Sequence, residues 1–339
     1  MNQARKKTFV DRIKSLLLFF VKIIIAASII GWLISSHYND FMRALSNIEF
    51  SWLLVAVVLY LSTMVASALR WHLLLKIQNI NITFFESLSL TMQGIFFSLV
   101  IPGGSLGGDL IKTGFIVSRT PRGNRLAVTS TVFMDRFLGM FGQFALAIVM
   151  GFMYIPEIRS MSVLGRDTVV VIWFASVAGI LAGVAIMTHR QLEKIKPYTF
   201  FIKIFDRLSH GMITKLTDIL DIYNSSKKTM FYCVLIGAIF VQLNMSLILY
   251  FIARGIHSAV MPIKALIFSI ALGNTAALLP ITPSGVGTRD FIVKEILVAG
   301  GFSHGDALAI PLLFTILMIF TSLIGGFFFV FHKIRKKIE

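Results

Sequence analysis

The sequence predicts an all-α polytopic membrane protein with about six full spans and two re-entrant helical hairpins in an inverted repeat. The 339-residue chain is 56% hydrophobic and only 14% charged, with a mean hydropathy of +0.83. Because soluble domains are about a quarter charged, this composition excludes an ordinary soluble enzyme. Long apolar runs recur along the chain, and two of them are broken near the middle by glycine and proline.

Six apolar segments are long enough to cross a bilayer, whose hydrocarbon core of about 30 Å needs about 20 helical residues. They lie at about 16–35, 51–70, 126–154, 168–188, 230–253 and 305–331. The first follows a basic stretch but lacks the small-residue cleavage site of a signal peptide. We therefore predict a retained span there, within a single transmembrane domain that covers residues 1–339.

Two further apolar segments, 84–118 and 263–300, are interrupted at their centres. The first contains Pro102-Gly-Gly-Ser-Leu-Gly-Gly-Asp109, and the second contains Pro280-Ile-Thr-Pro-Ser-Gly-Val-Gly-Thr-Arg-Asp290. Proline removes a backbone donor and glycine permits chain reversal, so both segments are typical of hairpins that enter the membrane and turn back. The alternative is two loops of an eight-span protein.

Charge placement favours turning back, because cytoplasmic loops of membrane proteins collect lysine and arginine. If 84–118 returns to the cytoplasm and 263–300 to the outside, 23 of the 32 basic residues are cytoplasmic, together with both termini. This count places Arg70 and Lys112 in cytoplasmic loops. The net charge of +16 then belongs to loops and not to a nucleic-acid site.

The two halves, about 16–154 and 168–331, are inverted relative to each other in this topology. Similar breaks at corresponding positions of inverted halves are typical of transporters that bind substrate near the membrane midplane.

The largest polar segment, 190–229, carries apolar residues at helical spacing between about 200 and 224. This pattern predicts a cytoplasmic amphipathic helix that lies at the lipid headgroups or docks a partner such as a lipid-modifying enzyme. A dimer contact through the same segment is a further alternative, so the sequence leaves a homo-oligomer open.

Five ionisable residues are predicted at membrane depth, where charges are costly and usually functional. They are Asp109, Asp135, Arg136, Arg289 and Asp290. In one interpretation the two arginines bind an anionic group, while the aspartates orient them or exchange protons. In the other, these residues form salt bridges that hold the broken helices together.

Glycines of both breaks complete the predicted substrate site. Half-helices that begin after Gly108 and after Gly287 would aim free N–H groups and the positive end of the helix dipole into the membrane. A phosphate group suits such a site, and arginine offers a donor fork that matches it. The candidate glycines are Gly103, Gly104, Gly107, Gly108, Gly285 and Gly287.

No catalytic residue, metal or cofactor is predicted. The segment Gly103-Gly-Ser105-Leu-Gly107 matches the G-x-S-x-G pattern of serine hydrolases, but that motif needs a strand–turn–helix elbow and a histidine base. Neither the lone Cys233 nor the histidine spacing indicates a metal site, and no segment resembles a nucleotide-binding loop.

These motifs resemble the lysylphosphatidylglycerol synthase transmembrane region, also called the flippase-like domain family. The similar residues are Arg70-Trp71, Pro102-Gly-Gly-x-x-Gly-Gly-Asp109, Asp135-Arg136-x-x-Gly139, and Pro280-x-x-Pro283-x-Gly285-x-Gly287-x-Arg289 followed by an acidic residue. The similarity covers nearly the whole chain. Two positions depart from the pattern, since Ser284 stands where glycine is expected and Asp290 where glutamate is common.

The resemblance implies a multi-pass protein of the bacterial or archaeal cytoplasmic membrane that moves a lipid with a polar headgroup between leaflets. Bifunctional relatives add a soluble lysyl-transfer domain, and this chain ends at Glu339, so we expect no aminoacyl-transferase activity. The expected substrate is an anionic phospholipid or a polyprenyl-phosphate-linked lipid. The alternatives are a secondary transporter of a soluble organic anion and a non-transporting scaffold for a lipid-modifying synthase or glycosyltransferase.

Overall fold

The computed structural model describes residues 38–188 and 222–331, with gaps at 47, 102–104, 122–123, 224 and 280, and scattered positions between 20 and 35. Every regular element within this part of the chain is helical. The prediction of an all-α fold is therefore confirmed.

The helices follow one another with short connections. In chain order they are α1 (Tyr38–Leu45), α2 (Phe50–Ile77), α3 (Phe84–Val100), α4 (Ser105–Arg119), α5 (Arg125–Met153), α6 (Ile155–Ser160), α7 (Val163–Met187), α8 (Lys227–Val234), a π-helical segment (Leu235–Val241), α9 (Gln242–Gly255), α10 (Ile263–Ala276), a 3-10 turn (Pro283–Gly285), α11 (Thr288–Ala299) and α12 (His304–Phe331).

Five helical stretches in the described part of the chain are long and apolar enough to cross a membrane. They are α2, α5, residues Val163–Ala185 of α7, the continuous stretch Lys227–Gly255, and residues His304–Val330 of α12. They correspond to five of the six predicted spans. The remaining predicted span, 16–35, lies largely outside the described residues, as do both termini and most of the predicted amphipathic helix at 200–224.

Each broken segment forms a pair of short helices that pack against each other. We call α3 with α4 the first hairpin (84–119) and α10 with α11 the second hairpin (263–299). Their helices have 17, 15, 14 and 12 residues. At 1.5 Å per residue they are about 18–26 Å long, which is shorter than a hydrocarbon core of about 30 Å.

The two hairpins pack against the same two long helices with exchanged roles. In the first hairpin, α3 contacts α12 and α4 contacts α5. In the second, α10 contacts α5 and α11 contacts α12. Helices α2 and α9 also contact each other. Residues of both hairpins line one cavity between these helices.

An apolar core surrounds this centre. Tyr60 of α2 meets Phe314 of α12 edge to face, with ring centroids 5.9 Å apart, and Phe268 of α10 is fully buried. On the outside, large apolar side chains such as Phe50 and Val330 are mostly exposed. Lipid is the solvent that suits such a surface, since water-soluble proteins seldom expose apolar patches of this extent.

Candidate functional site

A cavity of about 320 Å³ lies between the two hairpins and the long helices α2, α5, α9 and α12. Its charged lining residues are Arg70, Asp109, Lys112, Asp135, Arg136 and Arg289. Four of these six side chains are basic and two are acidic. Because Arg289 is paired with the buried Asp290 behind the wall, the charged groups of the site sum to one net positive charge, which attracts an anion where water screens little.

Arg70 enters the cavity from α2 and pairs with α5. Its Nε donates to Asp135 Oδ1 over 2.7 Å, and the residue is only 6% exposed. Two glycines leave room for its guanidinium: a Cβ atom at Gly237 would overlap it, and one at Gly139 would press against it. The last residue of the predicted Asp135-Arg136-x-x-Gly139 pattern is therefore glycine because a larger side chain would crowd the Arg70 guanidinium.

Lys112 of α4 approaches the same carboxylate from the first hairpin. Its Nζ lies 3.6 Å from Asp135 Oδ2 and 3.7 Å from the centroid of the Trp71 ring. The indole Nε1 of Trp71 in turn donates to Thr131 Oγ1 over 3.0 Å. Asp135 is therefore held by two cations from two different helices, within a network that joins α2, α4 and α5.

The neighbouring Arg136 has a different partner, because adjacent helical residues project about 100° apart. Its Nε lies 2.7 Å from Asp109 Oδ2, and a second nitrogen lies 2.5 Å from the same oxygen. The side chains of Arg136 and Asp109 are 33% and 25% exposed. This pair links the first hairpin to α5, and it is the most open ion pair of the cavity.

The Arg289–Asp290 pair of the second hairpin is closed. The two side chains are 3% and 0% exposed. Asp290 accepts from the Gly287 N–H over 2.9 Å and from the Thr315 hydroxyl over 2.8 Å, and Arg289 also donates to Thr315 of α12. The guanidinium stacks over Phe314, 4.7 Å from the ring centroid. This geometry favours the interpretation of a salt bridge that holds a broken helix in place.

None of the candidate glycines that the structure describes lines the cavity, and three of them have a structural reason to be glycine. Gly285 and Gly287 adopt positive φ angles of 75° and 85°, which glycine reaches without steric cost. Gly108 packs against the Gly94 carbonyl, which a Cβ atom at 108 would overlap, so this contact joins α3 to α4. Gly107 is buried in the same helix. Gly103 and Gly104 lie outside the described residues.

Ser284 connects the two hairpins. Its hydroxyl donates to the Ser98 carbonyl over 2.9 Å and lies 3.2 Å from the Ser98 hydroxyl. Its backbone is left-handed, with φ 49° and ψ 24°. The serine that departs from the family pattern therefore occupies a glycine-like conformation and makes a contact that glycine has no side chain to make.

Two sequence predictions about this site are wrong. Arg70 and Lys112 do not lie in loops: α2 continues to Ile77, and both cations are buried beside Asp135. The apolar residues Trp71 and Leu73–Leu75 after Arg70 were the available signal. The first half-helix also begins at Ser105 and not after Gly108, so Asp109 lies in its second turn.

A π-helical segment brings α9 to the cavity. Residues Leu235–Val241 form it, and both Val241 and the following Gln242 line the cavity. Because π-helical turns are costly and concentrate at functional sites, this irregularity supports the location of the site.

The chain matches known proteins over nearly its full length. A family model described as the lysylphosphatidylglycerol synthase TM region matches residues 19–326. A UPF0104 membrane protein of Pyrococcus horikoshii is 21% identical over 332 residues, which cover 92% of this chain and 96% of that protein. A UPF0104 membrane protein of Methanocaldococcus jannaschii is 24% identical over 318 residues, covering 88% and 89%.

These matches to membrane proteins agree with the apolar, all-helical architecture. The protein is an all-α polytopic membrane protein, and it belongs to the family of the lysylphosphatidylglycerol synthase transmembrane region.

Proposed function

We propose that this protein moves an anionic, phosphate-bearing lipid or lipid-linked headgroup between the leaflets of the membrane. The observation that carries the proposal is the open Arg136–Asp109 pair in a cavity whose charged wall has four basic and two acidic residues. A phosphate that crosses hydrocarbon without a counter-charge meets a cost of several kcal/mol or more. A positively charged cavity at membrane depth lowers that cost.

Arg136 is the residue we assign to the headgroup. A third of its side chain is accessible, and its planar donor fork matches two oxygens of a phosphate. An incoming phosphate takes the place of the Asp109 carboxylate on the guanidinium. Asp109 keeps Lys112 nearby, because residues three apart share a helix face. We assign Arg289 and Asp290 to holding the second hairpin, since both are already satisfied by each other and by Thr315.

The surroundings of Asp109 favour a lipid over a soluble anion. Leu106 and Leu110 flank it in α4, and both are more than half exposed on the outer surface, away from the cavity lining. The polar cavity and the apolar outer surface therefore approach each other at the first hairpin. A headgroup bound at Arg136 can keep its acyl or prenyl tail among lipids there.

The inverted topology is part of this proposal. The exchange of α5 and α12 between the two hairpins is the contact pattern expected of two related halves. The short hairpin helices suit re-entry, because irregular backbone at membrane depth must be buried in protein or line a cavity. We place the protein in a bacterial or archaeal cytoplasmic membrane with both termini inside, and assign it no aminoacyl-transferase activity.

A leaflet-accessibility assay tests the proposal. The purified protein is placed in liposomes with fluorescent phosphatidylglycerol or a short-chain fluorescent polyprenyl phosphate, and the protected inner-leaflet pool is followed after an impermeant quencher is added. We expect rapid loss of that pool with wild-type protein and slow loss with Arg136→Ala.

Two results would contradict the proposal. One is a protected pool that stays constant for both lipids while the same vesicles take up a soluble organic anion, which favours the secondary transporter. The other is an Arg136→Ala variant that keeps the full activity of the protein, while a variant that lacks residues 190–229 loses that activity. This result favours the scaffold.

A further inference from the structure

The ion pairs at the cavity leave one positive charge without a matching negative charge. Two of the three groups are neutral, because each contains one arginine and one aspartate. The third group has two cations, Arg70 and Lys112, but only one carboxylate, that of Asp135. Over the residues that the structure describes at this site, the net charge is therefore plus one.

The cation that is held most loosely is Lys112. Each of the three cavity arginines donates to a carboxylate oxygen within 3.1 Å. Lys112 Nζ, in contrast, lies 3.6 Å from the Asp135 carboxylate, which is beyond hydrogen-bond length. Its second contact is the Trp71 ring, whose π face stabilises an ammonium group.

A ligand in the cavity can reach this ammonium group. Lys112 lines the cavity from α4. The side-chain atoms that are both fully enclosed and without a hydrogen bond belong to other residues of the described structure. The Lys112 ammonium, which also makes no hydrogen bond to a described residue, is therefore open toward the cavity and keeps its donors for a ligand.

The net charge of the site limits the charge of the headgroup that it binds. The cost of moving an ion out of water rises with the square of its charge, whereas its attraction to a fixed positive charge rises only in proportion to it. A headgroup with one negative charge leaves the occupied site neutral. A headgroup with two negative charges leaves one of them uncompensated where water screens little.

Phosphate esters differ in this property. A phosphomonoester carries close to two negative charges at pH 8, because its second pKa is about 6. A phosphodiester has a single ionisable oxygen and therefore carries one negative charge.

We infer that the cavity selects phosphodiester headgroups with one net negative charge, and that Lys112 supplies the positive charge that compensates them. This inference rests on the proposed function, because it names the substrate class of the same cavity. It separates phosphodiesters of an uncharged alcohol or sugar from phosphatidic acid and from an unsubstituted polyprenyl phosphate.

Calorimetric titration of the purified full-length protein at pH 8 tests the inference. The probes are dihexanoyl phosphatidylmethanol, which is a diester, and dihexanoyl phosphatidic acid, a monoester that differs from it by one methyl group. We expect wild-type protein to bind the diester about tenfold more tightly, which corresponds to about 1.4 kcal/mol. Equal affinities, or tighter binding of phosphatidic acid, would overturn the inference, and that result does not depend on whether any variant folds.

Two variants change the charge of the site in opposite directions. Asp109→Asn raises the net charge to plus two, so the preference for the diester should fall about tenfold. Lys112→Met lowers the net charge to zero and should weaken diester binding about tenfold. The matched control is Lys264→Met, which removes an exposed cation at the start of α10 outside the cavity lining and should keep both wild-type affinities.

These variants also give results that would overturn the inference. A diester preference that is unchanged in Asp109→Asn would show that the net charge does not set the selectivity. A diester affinity that is unchanged in Lys112→Met would show that this lysine does not compensate the headgroup.

A second arm separates lipid from free headgroup. It repeats the titration with dimethyl phosphate and methyl phosphate, which carry the same charges without acyl chains. If the diester preference holds but the chains add no affinity, the inference stands and lipid translocation is contradicted. If the chains add affinity but the two lipids bind equally, the lipid substrate is supported and the inference fails. The two failures are thus distinguishable.

Discussion

The two hairpins place the same kind of ion pair in different surroundings. In the first hairpin, Asp109 pairs with Arg136 of α5, and the side chains keep a quarter and a third of their surface accessible. In the second hairpin, Arg289 pairs with its neighbour Asp290, and almost nothing of either side chain is accessible. The two hairpins exchange α5 and α12 as packing partners, yet their ion pairs differ in burial.

The difference teaches that a charge at the cavity wall does not by itself identify a binding residue. Asp290 has its lone pairs filled by Gly287, Thr315 and Arg289, so little remains for a ligand. A third of the Arg136 side chain is accessible beside the cavity. This difference in burial is the basis on which we assign the closed pair to holding the hairpin and propose the open pair for binding.

The largest effect on folding is expected from breaking the closed pair. Arg289→Met leaves the fully buried Asp290 carboxylate without its cation, which should lower the free energy of unfolding by about 3–5 kcal/mol. Arg136→Met is the matched control in the open pair. It should cost at most about 1 kcal/mol, because Asp109 stays in contact with the cavity.

Equilibrium unfolding in mixed detergent micelles measures both values. Equal losses for the two methionine variants would show that the hairpins do not differ in the way their burial indicates.

A smaller loss is expected at the crossing of the first hairpin. Gly108→Ala places a methyl group against the Gly94 carbonyl, where rigid backbone has to move, so we expect a loss of about 1–3 kcal/mol. Gly114→Ala in the same helix has nothing within 4 Å of the new Cβ atom and should stabilise α4 by up to about 1 kcal/mol. Thermal melting of the two variants in detergent gives the comparison. We predict that the melting temperature falls for Gly108→Ala and rises for Gly114→Ala. A change in the same direction for both variants would refute the close contact between α3 and α4.

The smallest effect concerns the contact between the hairpins. Ser284→Ala removes the hydroxyl bond to Ser98 but keeps a side chain in the left-handed conformation. Ser284→Gly removes the same hydrogen bond and also removes the steric cost of the left-handed conformation. We expect the glycine variant to be more stable than the alanine variant by about 1 kcal/mol, since the left-handed region costs a non-glycine residue about that much. An alanine variant as stable as the glycine variant would contradict the conformation of residue 284.

Much of the fold was accessible from the sequence, because hydropathy and helix breakers act locally. The apolar runs predicted the five long helices, and most of the predicted ends lie within a few residues of the observed ones. The glycine–proline breaks predicted two pairs of short helices. The largest error lies at the end of α2, which extends seven residues beyond the predicted limit. A carboxylate from α5 neutralises Arg70 there, and no local pattern reports such a partner.

The site was harder to predict, because its pairs join distant positions. Arg70 and Asp135 are 65 residues apart, and Asp109 and Arg136 are 27 apart. The sequence predicted Asp109, Asp135 and Arg136 as site residues, and all three line the cavity, but it assigned Arg70 and Lys112 to loops. The sequence also could not show that Arg289 is buried while Arg136 is accessible. That difference in burial arises because Thr315 and Phe314 of α12 pack against the Arg289 guanidinium.

The most direct test of the asymmetry is the rate of lipid transfer between leaflets in two variants. Arg136→Gln removes the open cation, and the double variant Arg289→Gln with Asp290→Asn neutralises the closed pair without leaving an unpaired buried charge. Our account predicts that Arg136→Gln slows transfer of fluorescent phosphatidylglycerol about 30-fold, which corresponds to the loss of about 2 kcal/mol from a charge-assisted bond, while the double variant stays within about threefold of wild type. A double variant slowed as much as Arg136→Gln, or an unaffected Arg136→Gln, would contradict the account.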